Sequence, residues 1–180
     1  MKKETEYIIH FKGLHEGTYE YNYLINKKFF STIEGSMYED GNINVKLTFS
    51  KSMQMLILDF NIAGTVSSIC DNCLESVEVP FICKEKICVK FGDEYDEPSE
   101  DVIILPFNEH EIDVSKIIYD LIVTSLPIRH LHNPNNNSKN GCNKEMLKKI
   151  SEYSVFEPHI GIGKEDYSDP RWDKLKNIID

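Results

Sequence analysis

The chain has no apolar run approaching the ~18 residues that a membrane-spanning helix needs. Met1-Lys2-Lys3 runs into Glu4-Thr5-Glu6 instead of an apolar stretch, so no secretory leader is expected. Both absences predict a cytoplasmic protein with no membrane partner. Positive charge is scarce as well: 20 Lys and Arg stand against 30 Asp and Glu, a formal net charge of −10. Binding to a nucleic-acid backbone draws much of its affinity from neutralised phosphates. This chain as a whole repels phosphate, and any RNA contact must be local. Cysteines number five, an odd count that suits reduced thiols in a cytosolic chain better than a disulfide framework.

Catalytic motifs are missing too. Gly161-Ile162-Gly163-Lys164 resembles part of a phosphate loop, but Pro158 stands where the first glycine should be and Glu165 where a hydroxyl is needed. The acidic stretch from Asp93 to Asp101 is out of register with a calcium loop and reads as a solvated acidic loop. Ser, His and Asp are all present, yet no spacing marks a nucleophile with its base. Neither an enzyme nor a small-molecule substrate is expected.

What the chain does have is enough apolar content, 41% over 180 residues, to bury the core of one ordinary domain. The first half reads as strands: Tyr7–Phe11, Thr18–Ile25, Ile43–Phe49, Met53–Ile69 and Phe81–Phe91, with a short further candidate at Val102–Leu105. Ile43, Val45, Leu47 and Phe49 alternate with polar residues, the period of a half-buried strand. Gly64, inside the longest run, predicts a bulge or bend. Asn26 can cap a short helix through about Met37. After Pro106 the period becomes helical. Asp113 can cap a helix on which Val114, Ile117, Ile118, Leu121, Ile122 and Leu126 form one apolar stripe, ended by Pro127. An Asn-rich loop over 133–141, a helix over 143–153 and a last helix opened by Asp169-Pro170 complete the expectation. The predicted class is α+β: an antiparallel, β-rich, barrel-like body over 1–130 with a packed helix at 113–126, then a loop and helical tail over 131–180. The whole reads as one domain.

The one cysteine motif is Cys70-Asp71-Asn72-Cys73. As a redox pair it would need a helix N-terminus and a strand–helix–strand setting, whereas it sits among antiparallel strands with Asp71 and Glu75 beside the thiols, a charge that raises thiol pKa. As half of a tetrahedral zinc site it would need two more donors. Cys83 and Cys88 fall on opposite faces of a strand and make a poor second pair. Cys142, at the start of a predicted helix, is better placed, and one of His130 and His132 can join it. Cys70, Cys73, His132 and Cys142 would form a Cys3His set holding a structural zinc. The blander alternative, thiols packed in a turn beside a solvated histidine, stays open, and is the safer reading of the motif taken alone.

Three stretches then carry a resemblance: GTVSSICDNCLESVEVPF at 64–81, KFGDEYDE at 90–97 and DPRWDKLKNI at 169–178. Together they resemble the YceD family, the large ribosomal RNA subunit accumulation proteins. The resemblance implies a small cytosolic protein needed for accumulation of large-subunit (23S) rRNA, with no established catalytic activity. Two departures stand out. Asn72 occupies a position where the family often has arginine, and the second cysteine cluster of many members is reduced here to His132 and Cys142. On this basis the expected role is a non-enzymatic ribosome-biogenesis factor. Its RNA contacts would come from Arg129, Lys144, Lys148 and Lys149, with His130 and Lys139 nearby. A different class is an acidic adaptor that holds a basic large-subunit ribosomal protein through 93–101 and 109–113, without touching RNA.

Overall fold

A computed structural model describes residues 5–132 and 141–154. Residues 133–140 of the Asn-rich loop, Lys139 among them, the Gly161–Lys164 stretch and the helix expected from Asp169 lie outside the described residues.

Six strands form one open sheet, in the order β2-β3-β4-β5-β7-β6. They are β2 (Gly17–Ile25), β3 (Gly41–Lys51), β4 (Met55–Ile69), β5 (Ser76–Gly92), β6 (Asp96–Ser99) and β7 (Val102–Pro106). A small ribbon pairs β1 (Ile8–Ile9) with β8 (Ile112–Asp113). The helices are α1 (Lys27–Thr32), α2 (Ser115–Ser125) and α3 (Lys144–Tyr153).

The strands follow from period-2 alternation. Through the middle of β3 and β4 alternate residues are buried, Ile43, Val45, Leu47 and Phe49 standing opposite Gly64, Ile62, Phe60 and Leu58. These inward side chains meet α1, α2 and the β1–β8 ribbon in a single core. Phe29 and Phe30 of α1 are fully buried in it, and Tyr7 stacks edge-on against Phe29. Val114, Ile118, Ile122 and Leu126 are the buried part of the α2 stripe, while Ile117 and Leu121 sit half-buried at its margin.

The barrel expected from sequence is not formed. Closure would need the two edge strands, β2 and β6, to pair, and they stand at opposite ends of the open sheet. The topology explains why. After β5 the chain steps outward to β6 and then returns, so that β7 slots between them, parallel to β5 and antiparallel to β6. The acidic stretch is therefore not all loop: part of it is β6, an edge strand exposed along its whole length and charged in a way that discourages edge-to-edge pairing.

Three other expectations are corrected. Gly64 is no bulge, since the ladders to β3 and β5 run through it without a shift of register. It is a point of close approach instead, because a Cβ there would lie 2.6 Å from the Ile43 Cα. The helix begun at Asn26 stops at Thr32 instead of near Met37, with Gly35 in the left-handed region at φ 78° just beyond. Asp113 does act at the start of α2 but from one residue outside the cap, its Oδ1 accepting from Ser115 N–H at 2.9 Å and from the Ser115 hydroxyl at 2.6 Å. Leu126 is extended (ψ 144°), as the residue before a proline must be, which ends α2 ahead of Pro127.

Candidate metal centre

Cys70 and Cys73 occupy the tip of the long β4–β5 hairpin. Backbone bonds tie the turn: Cys70 N–H donates to Glu75 O at 2.8 Å and Leu74 N–H to Cys70 O at 2.9 Å. Leu74 takes a left-handed conformation, φ 60°, which closes the turn and aims the two thiols to one side. Both thiols are buried.

The segment after α2 crosses this tip. Asp71 N–H donates to His130 O at 2.8 Å, and the Asp71 carboxylate accepts from His130 N–H at 2.7 Å. That places His132 against the thiols, buried to 8% exposure. Its Nε2 lies 3.1 Å from the Ser76 carbonyl, which can only accept, so Nε2 carries the proton and Nδ1 keeps its lone pair. Nδ1 is 3.4 Å from Cys73 Sγ and 3.6 Å from Cys142 Sγ. Cys142 Sγ is in turn 3.7 Å from Cys70 Sγ. All four donor atoms lie within 4.8 Å of one another.

These separations can be tested against a metal. With Zn–S near 2.3 Å and Zn–N near 2.0–2.1 Å, tetrahedral geometry requires an S···S edge of about 3.75 Å and an S···N edge of about 3.5 Å. Three of the six edges, at 3.7, 3.4 and 3.6 Å, match, and the other three are no longer than 4.8 Å. The donor set fits Zn²⁺, and the Ser76 carbonyl supplies the outer hydrogen bond that orients a ligating histidine.

The electrostatics fit as well. Burial pushes the Cys70 thiol up, but the N–H groups of Cys73, His132 and Asn72 and the Cys73 thiol outweigh it and hold Cys70 at about 6. The rise expected from Asp71 does not occur: that carboxylate is engaged by His130 N–H, and the backbone donors dominate. Cys142 moves the other way, to about 11, because of burial and its nearness to the sulfurs of Cys70 and Cys73. Three crowded sulfurs cannot all ionise unaided. A dication in their midst would release every thiol proton.

The tail begins at this centre. Asn143 Nδ2 donates to Glu75 Oε1 at 2.8 Å, and Asn143 Oδ1 caps α3 by accepting from Glu145 N–H at 2.9 Å. Beyond that attachment α3 buries no residue. Lys144, Lys148 and Lys149 are exposed along it, Lys148 pairing loosely with Glu152 at 3.9 Å. Arg129 reaches Asn72 Oδ1 of the turn at 3.5 Å. The four basic residues therefore lie around the centre, on its tail helix and its crossing segment. His130 is not in the donor set: its Nδ1 bonds the Ser68 hydroxyl at 2.7 Å.

Sequence reasoning missed the parts played by Asp71, Ser76 and Asn143. Asn143 carried the ordinary signal of a helix cap. A backbone carbonyl such as that of Ser76 leaves no signal at all.

The described residues thus form an α+β protein with a six-stranded open sheet and a small two-stranded ribbon, and a Cys3His cluster, buried but for the half-exposed Cys142, at the root of α3. Residues 58–179 match the family described as large ribosomal RNA subunit accumulation protein YceD, and the chain belongs to that family. No curated protein and no solved structure matches it. Among the described residues no helix is long and apolar enough to cross a membrane.

Proposed function

We propose that this protein is a non-enzymatic factor supporting accumulation of large-subunit (23S) rRNA in the cytoplasm, with a structural zinc at Cys70, Cys73, His132 and Cys142. The observation that carries this reading is the clustering of four donors at the root of α3, three of their separations being those a tetrahedral zinc would need. Zinc there would clasp the tail to the sheet and fix the direction in which Lys144, Lys148 and Lys149 are presented, beside Arg129. Family membership supports the cellular role. The family is described by the accumulation of an RNA, which supports a role in binding.

With −10 overall, attraction to RNA is confined to this patch and sensitive to salt. The experiment is a metal assay on reduced protein purified without chelators, followed by binding to large-subunit rRNA across a salt series. About one zinc per chain is expected, lost in Cys73→Ser and Cys142→Ser. Replacing Lys144, Lys148 and Lys149 by alanine should lower the slope of log affinity against log salt by about 2–3. An unchanged slope would return the patch to a solvated helix face. Metal-free protein would return the thiols to packing.

A second reading, the acidic adaptor for a basic large-subunit ribosomal protein, is favoured by one separate feature: an acid-lined groove on the far part of the sheet.

A further inference from the structure

That groove lies between α2 and the β5–β7–β6 edge and has a volume of about 830 Å³. Its strand wall stands away from the cysteine cluster: Glu85 is nine residues along β5 from Ser76, roughly 30 Å at strand rise. Its floor is aliphatic: Ile87, Ile103, Leu105 and Ile112 from the strands, Ile117 and Leu121 from α2. These strand residues keep 5–8% exposure, whereas Leu56, Leu58, Phe60 and Ile62 in the closed part of the core have none. The α2 stripe is wider than the sheet beneath it covers.

The walls are charged. Seven carboxylates and two lysines line the groove. Glu85 is the telling one. It shares the inward row of β5 with Cys83, Ile87 and Val89, all more than nine-tenths buried, yet it is exposed. A carboxylate on the core side of a central strand is tolerated because the sheet opens there into the groove. Among the described residues, only Glu111 of the seven has a basic side chain within ion-pair distance, the His10 ring at 3.0 Å. Glu97 receives the Tyr95 hydroxyl and Asp101 that of Ser99, both neutral.

An aliphatic floor under a rim of net negative charge selects its occupant. A nucleic acid is repelled. The chain's own residues 155–180 carry six acidic and four basic side chains and so do not complement it. Lysine and arginine do, with apolar stems for the floor and cationic heads for the rim. A volume inside the roughly 300–1,000 Å³ range of binding clefts accommodates a short segment of such a chain.

We propose that the groove docks a Lys/Arg-rich polypeptide segment interspersed with aliphatic residues, the aliphatic groups seated between Ile103 and Leu121 and the cations paired with Glu85, Glu97, Asp101 and Asp120. This gives the adaptor reading its site and rests on that reading for its cellular meaning. It uses none of the residues of the zinc clasp or of α3.

The test is a titration of the full, reduced, zinc-supplied chain with two labelled peptides of equal charge, one a Lys-Lys-Val repeat and the other oligolysine, and with a short single-stranded RNA. The repeat peptide should bind at least about tenfold more tightly than oligolysine, because only it can use the floor. Combined Glu97→Gln, Asp101→Asn and Asp120→Asn should weaken it by about tenfold or more. Thr124→Lys, at an exposed groove position that leaves the core intact, should weaken it several-fold. The alanine variants of Lys144, Lys148 and Lys149 should not change it. Equal affinity for both peptides, indifference to the groove substitutions, absence of peptide binding, or RNA binding that depends on the groove carboxylates would each overturn the proposal. None of these outcomes alters the zinc content or the α3-dependent RNA binding, so failure here and failure of the zinc-and-RNA reading are told apart.

Discussion

Asp71 and His130 hold each other in both directions, the Asp71 amide donating to the His130 carbonyl at 2.8 Å and the Asp71 carboxylate accepting from the His130 amide at 2.7 Å. This reciprocal pair docks the segment after α2 across the hairpin tip and sets His132 two residues further on. Removing the carboxylate leaves the His130 N–H to water, a loss of about 0.5–1.5 kcal/mol for an exposed bond. Asp71→Ala should therefore lower stability by that amount in denaturant unfolding. It should also weaken zinc about 10–100-fold in a chelator competition, as outer-sphere changes do. Unchanged zinc affinity would mean that His132 is positioned by other contacts.

In metal-free, reduced protein the two shifted thiols shape stability against pH. Cys70 is held at about 6, below the ordinary value of 9.0, so its contribution is present above pH 9 and is lost as pH falls through 6. Cys142 is raised to about 11, so its contribution is present below pH 9 and is lost as pH rises through 11. Together they predict a rise in unfolding free energy from pH 6 to 9 and a fall beyond it. Cys70→Ser should abolish the rising limb.

Leu74 sits at φ 60° with its side chain largely exposed. A non-glycine residue there stores backbone strain of about 1 kcal/mol, which glycine relieves. Leu74→Gly should leave stability unchanged or raise it by that amount, and Leu74→Val should lower it by more. Thermal unfolding of the zinc-loaded pair of variants checks the order.

Gly64 has the opposite logic. Its neighbour across β3 is backbone, 2.6 Å from where a Cβ would stand, and backbone in the middle of a ladder cannot move aside. Gly64→Ala should cost about 2 kcal/mol or more through overpacking, read from the midpoint of urea unfolding.

Much of the fold could be read directly, for identifiable reasons. Alternation such as Ile43-Val45-Leu47-Phe49 fixes strand and face at once, and the α2 stripe with Pro127 behind it fixes a helix and its end. What escaped was non-local. Whether β6 pairs with β2 or stays an edge depends on β7 slipping between β5 and β6, a parallel pairing that no local pattern records. The site was legible in its atoms but not in its assembly. Residue type and spacing singled out Cys70, Cys73, His132 and Cys142. Only the crossing of residues 130–132 over the hairpin tip brings them together, and that rests on Asp71, whose charge suggested a different consequence.

The centre also imposes an order of events. Cys70 and Cys142 are 72 residues apart, and His132 enters only after α2 has been laid down and its exit strapped across the tip. Loop closure over such a span is entropically costly before the intervening elements have condensed. The four donors therefore meet last. A metal bound there would act as a latch on a finished body, so that α3 with its lysines would be displayed in a fixed direction only by chains that have completed their fold.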